Sequence, residues 1–419
     1  MNMWQRFRPL RVRLLALLAV VGPGIITANV DNDAGGITTY SVAGAHYGYT
    51  LLWMLPLVAL ALIIVQEMSA RLGVVTGKGL ADLIRESMGV KATAIIIAVV
   101  LIANLANTVS EFAGVAASME IFGVSKYISV PAAAVLVWVL IIKADYRVVE
   151  RVFLVASSIY LAYVISGVMA RPPWPEVLKA TVTPSFQLDA SYVIIFVTII
   201  GTTIAPWMQF YQQASIVDKG LKVVDYAYER IDVIVGSLFA VMVAAFIMIA
   251  CAATLYSSGA HIDSAKDAAL ALGPLAGTYA STLFALGLLN ASIFSAAILP
   301  LSTAYVVCEA FGWEAGIGRR LKEAPVFFGI YTALIVVGAA IILLPIKSLV
   351  QAMMISQTLN GVLLPVILIV MLRLINDKRL MGKYANGRIF NVIAWAMVVA
   401  LILLTLILVI TSVFPGLLK

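Results

Sequence analysis

Charge is what this chain has least of. Of its 419 residues only 12% are Asp, Glu, Lys or Arg, against about 25% in an ordinary soluble domain. Histidine and cysteine are scarcer still, with two of each. His46 and His261 fall in connections between apolar runs, and Cys251 and Cys308 fall on different runs near opposite ends, which excludes a disulfide between them. Without clustered thiols or imidazoles there is no basis for a zinc, iron–sulfur or haem centre. The chain also lacks a nucleophile paired with a base, a phosphate-binding glycine loop and an extended soluble stretch, so nothing in it reads as an enzyme.

What it has instead is hydrophobicity, 63% of all residues. Runs long enough to cross a bilayer, about 17 to 25 residues each, are drawn at 14–44, 50–72, 92–121, 127–143, 149–170, 191–216, 226–256, 275–311, 324–345, 346–375 and 390–414. These eleven runs predict an all-α polytopic membrane protein. The basic start followed by apolar residues is not a cleaved leader, because the GPG at 22–24 and the polar run after it lack a small-residue cleavage pattern. Of the 28 Lys and Arg, 22 lie in the N-terminal tail and in alternate connections, around Arg71, Lys143, Lys219, Arg319 and Lys378. The other six are Lys126, Arg171, Lys179, Lys266, Lys347 and Lys419. That bias predicts a cytoplasmic N-terminus and, with an odd number of spans, a C-terminus outside. The net charge of +7 is then a topology signal and implies no nucleic-acid partner. "KGLADLIRESMG", from Lys78, reads as a short amphipathic helix on the cytoplasmic surface.

Two runs are interrupted by polar groups at membrane depth. The first holds "NVDNDAGG" from Asn29, the sixth "IIGTTIAPWMQFYQQ" from Ile199. One Asp near the bilayer centre costs about 2.5–3.5 kcal/mol on insertion scales, so something must compensate Asp31 and Asp33. Each broken run opens a set of five, the pattern of an inverted repeat whose two broken helices meet at a midplane site. The repeats are drawn at about 14–170 and 191–375, with an accessory helix at about 390–414. Pro206 has no N–H, so the carbonyl of Thr202, four residues earlier, loses its helical partner. Gly35 and Gly36 let the opposite backbone unwind beside Asp33. A carboxylate, an orphan carbonyl and side-chain amides at one depth make an oxygen-rich cation site. The plainer alternative is that Asp31, Asn32 and Asp33 cap a helix end in a water-filled vestibule.

At these motifs the chain resembles the NRAMP divalent-metal transporters over most of its length. "GPG" at 22, "DAGG" at 33 and "AGAHYGY" at 43–49 fall in the family's first-span register; "GTTIAPW" from Gly201 and "SQTLNGVLLP" from Ser356 match its sixth and tenth spans, and "DKRLMG" its following connector. The resemblance implies eleven helices in a LeuT-type 5+5 inverted repeat with helices 1 and 6 broken. It places Asp33 on the metal-binding Asp and Thr202 where the family uses a backbone carbonyl, with Gln357 and Asn360 as further candidates on the tenth span. Departures are as informative. Gly36 stands where the family has a metal-binding Asn, Ala205 where it has a thioether Met, Trp207 where it has a His tied to proton movement, and Thr108 with Glu111 where it often has Asp and Glu.

A thioether favours manganese, iron or cadmium over magnesium and calcium. Ala205 removes it and leaves room for a partly hydrated Mg²⁺, which sheds water reluctantly. The resemblance therefore points to the NRAMP-related magnesium transporters: facilitative uptake of Mg²⁺ and Mn²⁺, uncoupled from protons, in the plasma (inner) membrane of a bacterium. Its partners are divalent ions and the lipid bilayer, and no cofactor is implied beyond the transported Mg²⁺ or Mn²⁺. Glu111, an acid inside a span, reads as lining the aqueous route rather than relaying protons. Two other readings stay open: a proton-coupled Mn²⁺ or Fe²⁺ symporter of the ordinary family type, and a sodium-coupled amino-acid carrier on the same fold. Asp33 argues against the second, since a substrate carboxylate would meet a competing anion there.

Overall fold

In a computed structural model the described residues are 27, 30–143, 157–187, 190–259, 262–273 and 277–413. The tail arginines Arg6, Arg8, Arg11 and Arg13, the GPG at 22–24, Asn29, Arg147, Arg151 and His261 lie outside them. Every regular element among the described residues is helical. The reason is the solvent: hydrocarbon offers backbone groups no partner, so an apolar segment must bond within itself.

In chain order the α-helices are α1 (Ala34–Tyr47), α2 (Met54–Thr76), α3 (Leu80–Ile121), α4 (Lys126–Lys143), α5 (Leu161–Met169), α6 (Trp174–Val182), α7 (Ala190–Thr203), α8 (Pro206–Asp218), α9 (Tyr226–Thr254), α10 (Ala265–Ala269), α11 (Ala280–Phe311), α12 (Pro325–Leu343), α13 (Leu349–Asn376), α14 (Lys378–Met381) and α15 (Arg388–Val413). Nine spans among the described residues are long and apolar enough to cross a membrane, with α7 and α8 counted as one. The first and fifth expected spans reach into residues outside the description, which leaves the count of eleven open.

One of the next three features departs from the sequence reading and two bear it out. The helix expected from Lys78 is present as the first turns of α3, set off from the third span by a kink at Gly89, whose φ 77°, ψ 170° is not helical. A left-handed φ of this kind is what glycine permits without strain. An unforeseen short helix, α6, lies in the connection before the sixth span. That span is cut in two: α7 ends at Thr203, and Pro206 opens α8 with Ala205 extended at φ −72°, ψ 143°. Proline suits a helix's first turn, where its missing N–H has no partner to lose.

Small residues and buried polar pairs hold the helices together, as expected where lipid removes the hydrophobic drive between them. A side chain on Gly201 of α7 would collide with the backbone of Gln357 and Gly361 on α13, and one on Gly361 would collide with the Val197 carbonyl. Thr198 and Thr358 join the same two helices by hydroxyls 2.6 Å apart. Asn104 of α3 donates to Thr303 of α11 at 2.8 Å, and Asn107 exchanges bonds of 3.1 and 2.9 Å with Asn360. The close approach at Gly201 generates a prediction. Gly201→Ala should cost about 1–3 kcal/mol, the usual penalty for overpacking a core, read as a lowered melting temperature of the detergent-purified protein.

Candidate functional site

The break before α1 is built by its own short sequence. Asp33 is the N-cap of α1, and its Oδ1 accepts from Gly36 N at 2.6 Å. Its carboxylate is 4% exposed. The capping alternative is thus half realised: Asp33 does cap a helix, but inside the protein, not in a vestibule. Capping occupies one lone pair of one oxygen and leaves the rest of the carboxylate to other partners.

Its surroundings come from two other helices. Gln357 Nε2 of α13 stands 3.4 Å from both Asp33 oxygens. It gets there because residue 35 is glycine: a Cβ at Gly35 would occupy the space of the Gln357 side chain. Asn360 Nδ2 holds Gln357 Oε1 at 2.9 Å and is held in turn by Asn107 of α3. Glu111, one turn further along α3, is fully buried and accepts from Ala34 N at 3.3 Å, which sets its carboxyl against the start of α1, beside Asp33.

From the sixth span comes Thr202, 2% exposed, with its hydroxyl unpartnered. Next to it Thr203 shares a 2.7 Å bond with Tyr40, locking α7 to α1. Gly36 has the tightest surroundings. The position its Cβ would fill lies 2.6 Å from the Asp31 carbonyl, 3.2 Å from Thr202 Oγ1 and 3.3 Å from Asp33 Oδ1. Three oxygens from both broken spans therefore converge on a point that only glycine leaves clear.

Of the residues expected at the site, Asp33, Gly36, Thr202, Gln357 and Asn360 are brought together. Ala205 lies on the break, 2% exposed. Its carbonyl is taken by Met208 N at 3.2 Å and, with the amide nitrogen of Gln209 turned toward it, by that side chain at 2.9 Å. The Thr202 carbonyl, by contrast, receives no backbone hydrogen bond across the break among the described residues, as the proline argument requires. Trp207 is 1% exposed and packs at 6.2 Å from Tyr211, its carbonyl bonded to Ser302. Thr108 turns away: its hydroxyl goes back to the Asn104 carbonyl at 2.8 Å and its methyl abuts Gly338 of α12. Glu111 lies against the break rather than along an open route.

Sequence reasoning passed over Asn107 and gave Asp31 no role of its own. Asp31 is 3% exposed and its Oδ1 has no partner. The signal for Asn107 was present, as an amide one turn before Glu111 on the same face. Among the described residues there is no group of three or more His, Cys, Asp or Glu side chains arranged to hold an ion. A cation here would need carbonyls, amides, hydroxyls and water to complete its shell, the donor set of hard ions. The sulfur of Met353 stands one turn beyond, at Thr38, whose hydroxyl it accepts at 3.5 Å. Two hollows approach from opposite faces, about 620 Å³ around Tyr47, Glu176 and Tyr256 and about 600 Å³ around Tyr211, Asp218 and Tyr305; neither is lined by Asp33, Gly36 or Thr202.

Comparison with known proteins adds to this geometry. The family model of natural resistance-associated macrophage protein-like (Nramp) proteins matches residues 24–411. A divalent metal cation transporter MntH of Ralstonia nicotianae is 29% identical over 402 residues, covering 91% of this chain and 88% of that protein. Another MntH, of Erwinia tasmaniensis, is 30% identical over 303 residues, covering 70% and 72%. Among solved structures, an Eremococcus coleocola manganese transporter in complex with an aromatic bis-isothiourea compound is similar with a TM-score of 0.80 at 24% identity, covering 93% of this chain and 86% of that one. Mhp1, a nucleobase-cation-symport-1 family transporter in a closed conformation, is similar with a TM-score of 0.55 at 14% identity, covering 93% and 89%. At such identities the structural likeness concerns the fold alone.

Proposed function

This chain belongs to the Nramp family, and from that premise we propose that it carries divalent metal ions across the membrane through the oxygen cradle between its two broken spans. The observation that carries the proposal is the convergence at Gly36 of the Asp31 carbonyl, Thr202 Oγ1 and Asp33 Oδ1. Asp33 supplies the main negative charge, the Thr202 carbonyl and hydroxyl supply neutral oxygens, and Gln357, braced by Asn360 and Asn107, supplies an amide. Relatives named divalent metal cation transporters support the ion class.

The finer proposal is Mg²⁺, with Mn²⁺ also accepted, moving without protons. It rests on two residues. Ala205 offers a methyl where a thioether would select softer ions, and Trp207 does not titrate. The energetics suffice, since a divalent ion gains about 4.6 kcal/mol per 100 mV of inside-negative potential, twice the value for one charge. In the proposed orientation the face carrying most Lys and Arg is cytoplasmic, the C-terminus is outside, and the membrane is the plasma membrane of a bacterium. One observation favours the proton-coupled alternative: Glu111, fully buried, accepts from Ala34 N and so stands beside Asp33, where an ion arriving at Asp33 would act on a second acid.

Three measurements test these readings. Asp33→Ala should abolish metal uptake into proteoliposomes while the protein still inserts and elutes as a single species; uptake at the wild-type rate would remove Asp33 from the site. Ala205→Met should weaken Mg²⁺ competition against Mn²⁺ uptake by about tenfold or more, through added softness and lost water volume; unchanged competition would show that residue 205 does not face the ion. A pH dye inside the vesicles should stay flat during Mg²⁺ influx. Metal-dependent acidification that disappears in Glu111→Gln would instead establish the proton-coupled alternative.

A further inference from the structure

The connection before the sixth span holds α6, whose 9 residues make about 14 Å of helix, too little to cross a bilayer. Its surface divides into three sectors. Val177 points into the protein and is buried. Glu176, Lys179 and Ala180 line the hollow of about 620 Å³ beside Tyr47 and Tyr256. The third sector carries Trp174, Leu178 and Val182, spaced by four and so stacked on one face, and these are 38%, 64% and 78% exposed. An apolar strip of this kind marks a surface that something covers.

The neighbouring segments identify the cover. Before α6 in the chain, the exposed side of α5 is Ile165, Val168 and Met169, and after it come Phe186 and then Ile194 of α7. The apolar sector of α6 therefore joins two surfaces that already face hydrocarbon. Depth agrees. α9 has 29 residues, about 43 Å of helix against a hydrocarbon core of about 30 Å, so when centred it projects about 6 Å on each side. Phe246 stands eight residues before its end at Thr254, about 12 Å along the axis, which puts it about 6 Å inside the core boundary. Trp174 meets the Phe246 ring edge-on, with centroids 6.5 Å apart, and tryptophan is enriched at this boundary.

The helix is also held at both ends. Arg171, at φ 49° the one non-glycine with positive φ among the described residues, turns the chain between α5 and α6, and Pro172 and Pro173 fix the next two φ angles. Past the other end, the Ser185 carbonyl accepts from Trp53 Nε1 at 2.9 Å and from the Tyr192 hydroxyl of α7 at 2.5 Å. With its ends fixed, α6 cannot roll its apolar strip inward.

We propose that α6 is an interfacial helix, lying in the bilayer boundary opposite the basic connections, with Trp174, Leu178 and Val182 among lipid acyl chains and Glu176 and Lys179 toward water. The inference is independent of which ion the protein carries.

The test reads the surroundings of single nitroxide labels. Cys251 and Cys308, the two native cysteines, are buried, so a cysteine placed on α6 takes the label alone. The four positions used are exposed, where substitutions rarely disturb folding. In the full chain reconstituted into phosphatidylcholine and phosphatidylglycerol liposomes, labels at Leu178→Cys and Val182→Cys should show an oxygen-to-nickel collision ratio about threefold or more above that at Glu176→Cys and Lys179→Cys, as expected for an apolar face about 5–10 Å into the headgroup and acyl boundary. Equal ratios at the four positions would put the strip in water and overturn the proposal. Labels at 178 and 182 shielded from both reagents would mean that protein covers the strip, and would overturn it too; spin–spin broadening lost on dilution with unlabelled chain would then identify a second copy as the cover.

Discussion

Everything at the centre of this protein follows from breaking hydrogen-bonded helices where no water is available to repair them. A helix interrupted in hydrocarbon leaves donors at one end and acceptors at the other, each costly if unmet. At the first break the donors are answered by Asp33, whose Oδ1 takes the Gly36 amide at 2.6 Å. At the second break the acceptor of Thr202 stays unanswered because Pro206 has no hydrogen to give. One break thus concentrates negative charge and the other exposes lone pairs, and Gly36 leaves clear a point 3.3 Å from Asp33 Oδ1 and 3.2 Å from the Thr202 hydroxyl.

The shell around that point explains how a buried carboxylate is tolerated. Gln357, Asn360 and Asn107 form a chain in which each amide orients the next, ending on Asp33. Such networks hold geometry best when every member is satisfied, and this one loses a link if any amide becomes apolar. The donors it presents are neutral. They steady Asp33 without cancelling its charge, which stays available to an ion.

Much of this was legible in the sequence because it depends on residues that act locally. Pro206 fixes the orphan carbonyl by counting back four, and the Asp-Ala-Gly-Gly run marks the unwinding. The five candidates that converge lie on segments whose polarity is anomalous for their depth. What stayed hidden depends on rotation about helix axes. Thr108 and Glu111, three residues apart on α3, read as a pair in the sequence, yet Thr108 bonds back to its own helix and abuts Gly338 of α12, while Glu111 accepts from Ala34 N at the first break. Asn107 is an ordinary amide until Asn360 is placed opposite it. Pairings between distant elements are set by packing, and the sequence alone does not record them.

The two halves of the sixth span have different anchors. α7 is clamped to α13 by the mutual fit of Gly201 and Gly361 and by the Thr198–Thr358 bond, whereas α8 is tied to α2 by Ser69, which donates to the Gln209 carbonyl at 2.6 Å. The extended residue Ala205 is the only covalent slack between them. A tilt of α2 would therefore drag α8 and leave α7 in place, rotating the link so that the Thr202 oxygens keep their aim while the floor beneath them moves. The cleft in the helix is also its mechanical joint, so the proposed ion site and the hinge lie at the same peptide.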